Sequence, residues 1–445
     1  MRLKTRLLEL VEDVRGSYWF VPSLLALAGL LAGLLLVYVD AVLGDAWLGR
    51  FEWFYGSRPA GAREVLSTVA GSTITVAGVV FSITLAAVTY ASGQYGPRLL
   101  TNFVRDRGNQ VTLGVFIGTF LYCLVVLRTI RSAEEASADT GGALREAFVP
   151  HIAMFGALAL AIMSIGVLIY FVHHVTDGIH INNVIARIGH GLLSDIAERR
   201  ESVGADEITA GERRPRAGSS VPATKTGYVE AVDEEALLAI AIERDVVLAV
   251  LVIPGDFVHR GRPLLLVEPS GTTKLETCGD LFSISRKRSA LQDLRFPIDE
   301  LVELAARALS PGVNDPFTAI ACIDWLGAAL SDLSVMRERP GTVRDASGRV
   351  RVVVPRLDFR DYLTLAVGRL RPYAARDPNV AAHLMRTLDV LRTSIADEES
   401  RALVGVERDR LRRAIRSEEG SDDRVTTDLS LEHMAARTSR MIVRD

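Results

Sequence analysis

Charged residues are sparse between Trp19 and His173 and frequent after Ala197, so an apolar half is joined to a half with the composition of an ordinary water-soluble domain. The apolar half contains four nearly uncharged segments, at about 19–43, 65–91, 111–130 and 149–173. About 20 helical residues, rising 1.5 Å each, are enough to cross the hydrocarbon core of a bilayer. The pattern therefore predicts a transmembrane domain of four helices over residues 1–175.

The polar half changes its pattern along the chain. Residues 176–223 are predicted as a helical extension and a linker, because the stretch after Arg200 is charged and rich in Gly, Ser and Pro. Short β-branched runs between Gly and Pro turns predict a small β domain over 224–278. A helical pattern covers 285–420, and 421–445 is a C-terminal tail. The expected fold class is a mainly α membrane protein, with four transmembrane helices followed by a cytosolic α+β region that contains a small β-barrel-like domain and a helical domain.

The second apolar segment carries a stripe of small and hydroxylated residues. They recur every three or four positions, which places them on one side of a helix and leaves an apolar opposite side. The stripe consists of Thr68, Ser72, Thr75, Gly78, Ser82, Ala86, Thr89 and Gly93. Such a stripe is typical of close packing between membrane helices. If several copies surround an axis, it can instead line a narrow, weakly polar pore, with Thr68, Ser72, Thr75, Gly78, Ser82 and Thr89 as the pore-lining candidates.

Polar side chains follow the fourth segment. His173, Asp177 and His180 are spaced by four and three residues, so they share one face if the helix continues. Imidazole and carboxylate groups in this arrangement can bind a divalent metal or respond to pH. The alternative is that they are interfacial polar groups in contact with water.

A second candidate site lies in the helical region, at the segment ALSPGVNDPFT. Asp315 is expected to cap the following helix, and the missing N–H of Pro316 is harmless at a helix start. This accounts for the segment without a function. The functional alternative is that Arg307, Asn314 and Asp315 bind a small ligand or dock a neighbouring subunit.

Composition and missing motifs argue against several classes of function. The formal net charge is −3, without the basic bias of nucleic-acid binders. Cys123, Cys278 and Cys322 form no CxxC pair, so neither a disulfide framework nor a thiolate metal site is predicted. The sequence contains no nucleophile elbow, phosphate-binding loop, zinc-protease motif or dinucleotide fingerprint. We expect no nucleic-acid partner, no cofactor and no catalytic activity.

Three segments carry a resemblance to a known family. They are STVAGSTITVAGVVFSITLAAVTYASGQYGPR in the second span, PGDFVHRG in the β region and ALSPGVNDPFTA in the helical region. Together with the four spans they resemble the bacterial family of predicted membrane proteins called domain of unknown function 2254, over nearly the full length. The resemblance implies a membrane protein and assigns no functional residue. PGDFVHRG also resembles half of a biotinyl/lipoyl barrel, but no lysine occurs between Lys225 and Lys274 to be modified, so we interpret it as structural.

Topology and function follow as expectations. Four basic residues precede the first span, which favours a cytosolic N-terminus, and an even number of spans returns the C-terminus to the cytosol. We expect a multi-pass protein of the inner cell membrane. Its leading function is a homo-oligomeric channel or pore for a small ion, lined by the second helix and regulated by the cytosolic part. The alternative is a membrane-anchored scaffold or sensor whose cytosolic domain binds a partner.

Overall fold

A computed structural model describes residues 18–43, 59–95, 106–131, 148–202, 218–269, 276–336 and 341–419. The chain divides into two compact units, Met1–His180 and Ile181–Asp445. The predicted tail, 421–445, and residues 203–217 of the predicted linker lie outside the described residues.

The first unit is built from four long helices. They are α1 (Phe20–Leu43), α2 (Pro59–Tyr95), α3 (Arg107–Thr129) and α4 (His151–Ile179). Helix α3 packs against each of the other three and is the most buried of them. Helix α2 is longer than the predicted 65–91, because its helical hydrogen bonding continues into the flanking polar residues at both ends.

Helices α1 and α3 run in the same direction and touch backbone to backbone. A Cβ on Gly29 would lie 2.3 Å from the carbonyl oxygen of Gly118, and a Cβ on Gly118 would lie 2.7 Å from the carbonyl oxygen of Leu25. Gly29 and Gly33 form one GxxxG pair, and Gly114 and Gly118 form another. Small residues at this spacing let membrane helices approach closely, and here both helices supply them.

Polar side chains that are buried or half-buried connect the helix ends. At one end, Asp40 accepts hydrogen bonds from the backbone N–H groups of Ile152 (3.0 Å) and Ala153 (2.9 Å), which caps the start of α4. The guanidinium of Arg63 donates to the carbonyl oxygen of Ile130 (2.9 Å) at the end of α3. Because these partners come from the last turns of α1 and α3 and the first turns of α2 and α4, α2 and α4 run opposite to α1 and α3.

Polar contacts also connect two helices at the opposite end of the bundle. Asp106 caps α3 by accepting hydrogen bonds from the backbone N–H groups of Gly108 (2.7 Å) and Asn109 (3.2 Å). The same carboxylate oxygen lies 2.7 Å from Nε2 of His174, near the end of α4. The start of α3 and the end of α4 therefore meet, and α1 begins and α4 ends at the same end of the bundle.

Five helices of the described residues are long and apolar enough to cross a membrane: α1 to α4 and one helix of the second unit, Pro316–Val335. The mainly helical fold, with apolar candidate spans in the first half and an α+β region after them, is confirmed. The count of four spans stays a prediction, because Pro316–Val335 meets the same criteria of length and composition.

The second unit begins with α5 (Ile181–Ser202) and continues into two β-sheets. The first sheet has the strand order β1-β5-β3-β8-β7 and the second has the order β4-β2-β6. The strands are β1 (Ser219–Pro222), β2 (Gly227–Val232), β3 (Val247–Val250), β4 (Phe257–Val258), β5 (Pro263–Glu268), β6 (Phe282–Ser285), β7 (Gly341–Arg344) and β8 (Val350–Val354). The two sheets share one hydrophobic core. They occupy the region for which a barrel-like domain was predicted.

The β region differs from the prediction in two respects. Helix α6 (Glu234–Glu243), capped by Asp233, interrupts it. Strand β8 pairs in parallel with β3, with Leu248 opposite Val352, although it comes from 285–420, which was predicted as helical. The run Val350–Val354 is β-branched and lies buried between β3 and β7, so non-local pairing completes the sheet.

The PGDFVHRG segment contains the turn between β3 and β4, and it contacts the helical part of this unit. Gly255 has φ +90°, and a Cβ there would lie 1.9 Å from Oδ2 of Asp293. Arg295 binds Asp293 (3.0 Å) and Asp256 (3.2 Å), and it also donates to the carbonyl oxygen of Pro254. The turn is therefore fixed by partly buried ionic contacts to the residues that precede and begin the next helix.

That helix and its successors complete the second unit. They are α7 (Arg295–Ala308), α8 (Pro316–Val335), α9 (Phe359–Leu363), α10 (Arg369–Ala374), α11 (Pro378–Ser394) and α12 (Glu398–Glu419), with a π-helical turn, Thr364–Gly368, between α9 and α10. Helix α8 packs against α5, α7 and α11. A Cβ on Gly189 of α5 would lie 2.2 Å from the ring of Trp325, so this glycine allows α5 and α8 to touch.

Candidate functional site: the exposed face of α2

The predicted stripe lies on the side of α2 that faces away from the other helices of its own unit. All six pore-lining candidates, Thr68, Ser72, Thr75, Gly78, Ser82 and Thr89, are exposed. The opposite side of α2 packs into the bundle, where Ala62 and Leu66 meet the core around Tyr122, and Ala77 and Val80 meet Phe116. The stripe is therefore not used to hold the subunit together.

The inward side of α2 is less apolar than predicted. Thr73 and Thr84 are both 5% exposed and face the bundle. Their hydroxyls donate to carbonyl oxygens one turn earlier, Thr73 to Val69 (2.8 Å) and Thr84 to Val80 (2.8 Å). A threonine whose donor is satisfied by its own helix presents mainly its methyl group to neighbours, which explains its burial among apolar side chains.

The exposed hydroxyls have the same bonding. Thr75, Ser82 and Thr89 each donate to the carbonyl oxygen four residues earlier at 2.8 Å. Ser72 donates to the carbonyl oxygen of Val69 at 3.0 Å. Each of these four hydroxyl groups therefore has an acceptor for its hydrogen, and each oxygen still presents acceptor lone pairs along the stripe. The face is thus weakly polar and uncharged, and it presents hydrogen-bond acceptors.

Glycines form depressions in the same face. A Cβ on Gly71 or Gly78 would meet nothing within 4 Å. Large exposed side chains border this strip, among them Ile74, Phe81 and Ile83. The face is therefore a shallow groove of small residues with apolar edges, and it has the room for another helix backbone.

The exposed faces of α1 and α4 differ in kind. On these helices the exposed positions carry large aliphatic side chains, as expected for contact with lipid tails. Those of α1 include Leu24, Leu27, Leu31, Leu35 and Val42, and those of α4 include Leu158, Ile162, Ile165, Ile169 and Val172. Within one bundle, α1 and α4 present surfaces of large aliphatic side chains, and α2 presents a strip of small and hydroxylated residues among exposed apolar ones such as Val79 and Leu85.

Comparison with known proteins agrees with a membrane protein. The model of the family described as predicted membrane protein (DUF2254) matches residues 15–390. The chain belongs to this family. Uncharacterized proteins of Mycobacterium bovis and Mycobacterium tuberculosis are each 32% identical over 406 residues, which cover 89% of this chain and 75% of theirs. No solved structure matches. The resemblance drawn from the three sequence segments is confirmed, and membership of the family brings no assigned activity.

The predicted metal site is not assembled. His173 and Asp177 form an exposed pair, with Nε2 and Oδ2 3.3 Å apart. His180 follows the end of α4 as its C-cap residue. Across the described ranges, no group of three or more His, Cys, Asp or Glu side chains is arranged to hold a metal ion. The structure brings His173 and Asp177 together, and metal binding by the three residues stays a prediction.

The SPGVNDP segment forms the tight turn between α7 and α8. Asp315 caps α8 by accepting hydrogen bonds from the backbone N–H (3.2 Å) and the hydroxyl (2.6 Å) of Thr318, so the capping interpretation is confirmed. Asn314 has φ +49°, a left-handed conformation that asparagine tolerates better than most residues. Arg307 pairs with Glu303 one turn earlier (3.3 Å). The structure gives each of the three candidates a local role, and ligand binding or docking by them stays a prediction.

Sequence reasoning missed the residues that build the bundle. The two GxxxG pairs of α1 and α3 were readable as GLLAG and GVFIG, at residues 29–33 and 114–118. Asp40 was visible as a single charge within an apolar segment, which is a signal of an intramembrane partner. The pairing of Asp106 with His174 had no comparable signal, because its two members are 68 positions apart.

Proposed function

We propose that this protein is a homo-oligomer in which α2 of each copy faces a shared axis and lines a narrow pathway for a small ion. The observation that supports it is the difference between helix faces: α1 and α4 expose large aliphatic side chains, whereas the exposed face of α2 also carries a strip of Thr, Ser and Gly among its large apolar side chains. A face directed at lipid needs no hydroxyl groups, and a face along a water-filled axis benefits from their lone pairs.

The chemistry of the stripe limits the kind of pathway that it can form. From Val65 to Tyr95 the helix has no charged residue. Hydroxyl oxygens without a ring of charge replace only part of an ion's hydration shell, so a pathway lined by them binds ions weakly and lets them leave. We expect conduction with low selectivity rather than tight coordination.

The rest of the proposal concerns location and chemistry. We place both termini and the second unit in the cytosol, and the protein in the inner cell membrane, because basic residues precede the first span. We place Pro316–Val335 in the water-soluble unit, because half of its apolar window is buried there and its Asp324 binds His383 at 2.6 Å. We assign no catalytic activity, cofactor or nucleic-acid partner.

Ion flux through liposomes that contain the purified full-length chain tests the pore. Thr75→Leu and Ser82→Leu place bulk on the stripe and are expected to reduce flux strongly. Ile74→Leu and Phe81→Leu are matched controls, because these exposed positions lie one residue earlier and about 100° round the helix. Equal flux in all four variants, or no flux in the wild type under voltage, tension or ligand, would remove the basis of the proposal.

The second candidate is a scaffold or sensor in which the α2 faces pack together without water between them. The empty space at Gly71 and Gly78 favours it, because glycine at a helix interface serves close approach. The two candidates differ in water access. In a pore, cysteines placed at Thr75 and Ser82 react with a membrane-impermeant thiol reagent and the reaction blocks flux. In a packed interface they cross-link between copies and do not react with that reagent.

A further inference from the structure

The turn between α7 and α8 holds two apolar side chains out of the second unit. Phe317 is 79% exposed, the largest value among the large hydrophobic residues that the structure describes, and Val313 is 49% exposed. The turn is well fixed, since the backbone N–H of Asp315 donates to the carbonyl oxygen of Ala308 at 2.8 Å and the hydroxyl of Ser310 donates within the same turn. These contacts hold the apolar tip in place without covering it.

Two contacts within the second unit show where this tip lies along α5. Trp325 packs on Gly189, and its ring lies 4.6 Å from that of His190, so α8 runs beside α5. At the other end, the guanidinium of Arg199 donates to the carbonyl oxygen of Gln292, just before α7 begins (3.2 Å). Helix α7 therefore starts near the C-terminal end of α5 and runs toward the N-terminal end.

Helix lengths locate the tip more closely. The 14 residues of α7 rise about 21 Å from its start near Arg199, out of the roughly 33 Å spanned by α5. From Trp325 back to the start of α8 is about 13 Å, which matches the distance along α5 from Gly189 to its first turn. Both measures bring Val313 and Phe317 to the level of the first turn of α5.

The first turn of α5 is where the chain leaves the membrane domain. Helix α5 begins at Ile181, and the apolar helix α4 ends at Ile179, so only His180 separates them. We infer that Val313 and Phe317 insert into the surface of the bilayer at this end of the second unit. Exposed aromatic and branched aliphatic side chains at the level of a membrane exit are suited to the boundary between headgroups and acyl chains.

The charges at this end of the unit fit a lipid surface. Arg187 is exposed on the second turn of α5, and Arg307 lies in the last turn of α7. Arg187 is expected to contact lipid phosphates, whereas Arg307 is paired with Glu303 (3.3 Å) and that pair adds no net charge. The carboxylate of Asp315 at the same end caps α8, and the partial positive charge of that helix start offsets part of its negative charge.

Fluorescence of a label at the tip tests this inference in the full-length chain reconstituted in vesicles. Phe317→Cys is labelled with an environment-sensitive nitrobenzoxadiazole dye, and quenching by lipids with a nitroxide near the top of the acyl chain is measured. Leu291→Cys is the matched control, because Leu291 is 72% exposed and lies at the other end of α7. The three native cysteines are buried, and a variant with alanine at these positions provides the background.

The expected result is blue-shifted emission at position 317 with severalfold stronger lipid quenching than at position 291. Equal quenching at the two positions, or water-like emission at 317, overturns the inference. A blue shift without lipid quenching also overturns it and identifies a protein partner, such as a second copy. Val313→Cys repeats the test at the other apolar residue of the tip if the first variant misfolds. No measurement here depends on ion flux, so failure of the pore proposal and failure of this one are distinguishable.

Discussion

Replacing Gly29 with alanine tests the contact that the structure places at the centre of the membrane bundle. The added Cβ would lie 2.3 Å from the carbonyl oxygen of Gly118, 2.7 Å from its carbonyl carbon and 2.8 Å from its Cα. All three atoms belong to the backbone, so no side chain can rotate away. Helices α1 and α3 must separate, and each turn of the crossing then loses part of its van der Waals contact.

The size of the effect follows from this geometry. Overpacking a tight contact costs about 1–3 kcal/mol, and the upper end applies here because only backbone can yield. A loss of about 3 kcal/mol lowers the folded-to-unfolded ratio roughly a hundredfold. Gly118→Ala is expected to act similarly, since its Cβ would lie 2.7 Å from the carbonyl oxygen of Leu25. The double variant should be less destabilised than the sum, because both changes separate the same helices.

Thermal unfolding of the purified full-length protein in detergent measures the difference. Gly166→Ala is the matched control, because a Cβ on Gly166 of α4 would meet nothing within 4 Å. This control is expected to be neutral or to stabilise by up to about 1 kcal/mol, since alanine favours a helix over glycine. If Gly29→Ala and Gly166→Ala unfold at the same temperature, the close crossing of α1 and α3 is wrong.

Three further changes test other parts of the fold. Gly189→Ala places a Cβ 2.2 Å from the ring of Trp325 and should cost about 1–3 kcal/mol, read as faster hydrogen exchange in α5; unchanged exchange contradicts the contact. Asp40→Ala removes the cap of α4 and should cost about 1–2 kcal/mol, again with faster exchange at the start of that helix. Hydrogen bonds from the Ser347 hydroxyl and the Arg351 guanidinium hold the pKa of Asp345 well below its usual value. Asp345→Asn should therefore lower the unfolding temperature at pH 7. The difference from the wild type should shrink as the pH falls below about 4, because a carboxylate with a lowered pKa stabilises the fold only while it is ionised. A difference that does not change with pH would show that the carboxylate charge is irrelevant.

Local sequence patterns predicted the positions of helices and strands better than they predicted which segments pack or pair with each other. The apolar segments marked the four long helices of the first unit, and Asp315 with Pro316 marked a helix start, because hydrophobic periodicity and caps depend on neighbours in sequence. The place of Val350–Val354 in the sheet could not be predicted, since its partner Leu248 is about a hundred residues away and a short β-branched run does not specify what it pairs with.

The stripe on α2 shows both the reach and the limit of sequence reasoning. Periodicity correctly predicted that Thr75 and Ser82 share one side of the helix. It did not show whether that side faces the bundle or points away from it. Hydroxyl groups also occur on the side that faces the bundle, at Thr73 and Thr84. Because the hydroxyls of all four donate to their own helix, their chemistry does not distinguish a buried face from an exposed one, and only packing does.

Glycine appears in two situations in the membrane domain, and the difference between them bears on the proposed oligomer. Each glycine inside a helix costs about 1 kcal/mol relative to alanine. At Gly29 and Gly118 this cost is offset by backbone contact, whereas at Gly71 and Gly78 nothing fills the space. A second copy that packs on α2 would offset it, whether or not water remains along the axis. Gly71→Ala is then expected to stabilise the isolated subunit slightly and to weaken self-association, as measured by sedimentation in detergent at several protein concentrations. If this variant associates as strongly as the wild type, Gly71 lies outside any interface between copies.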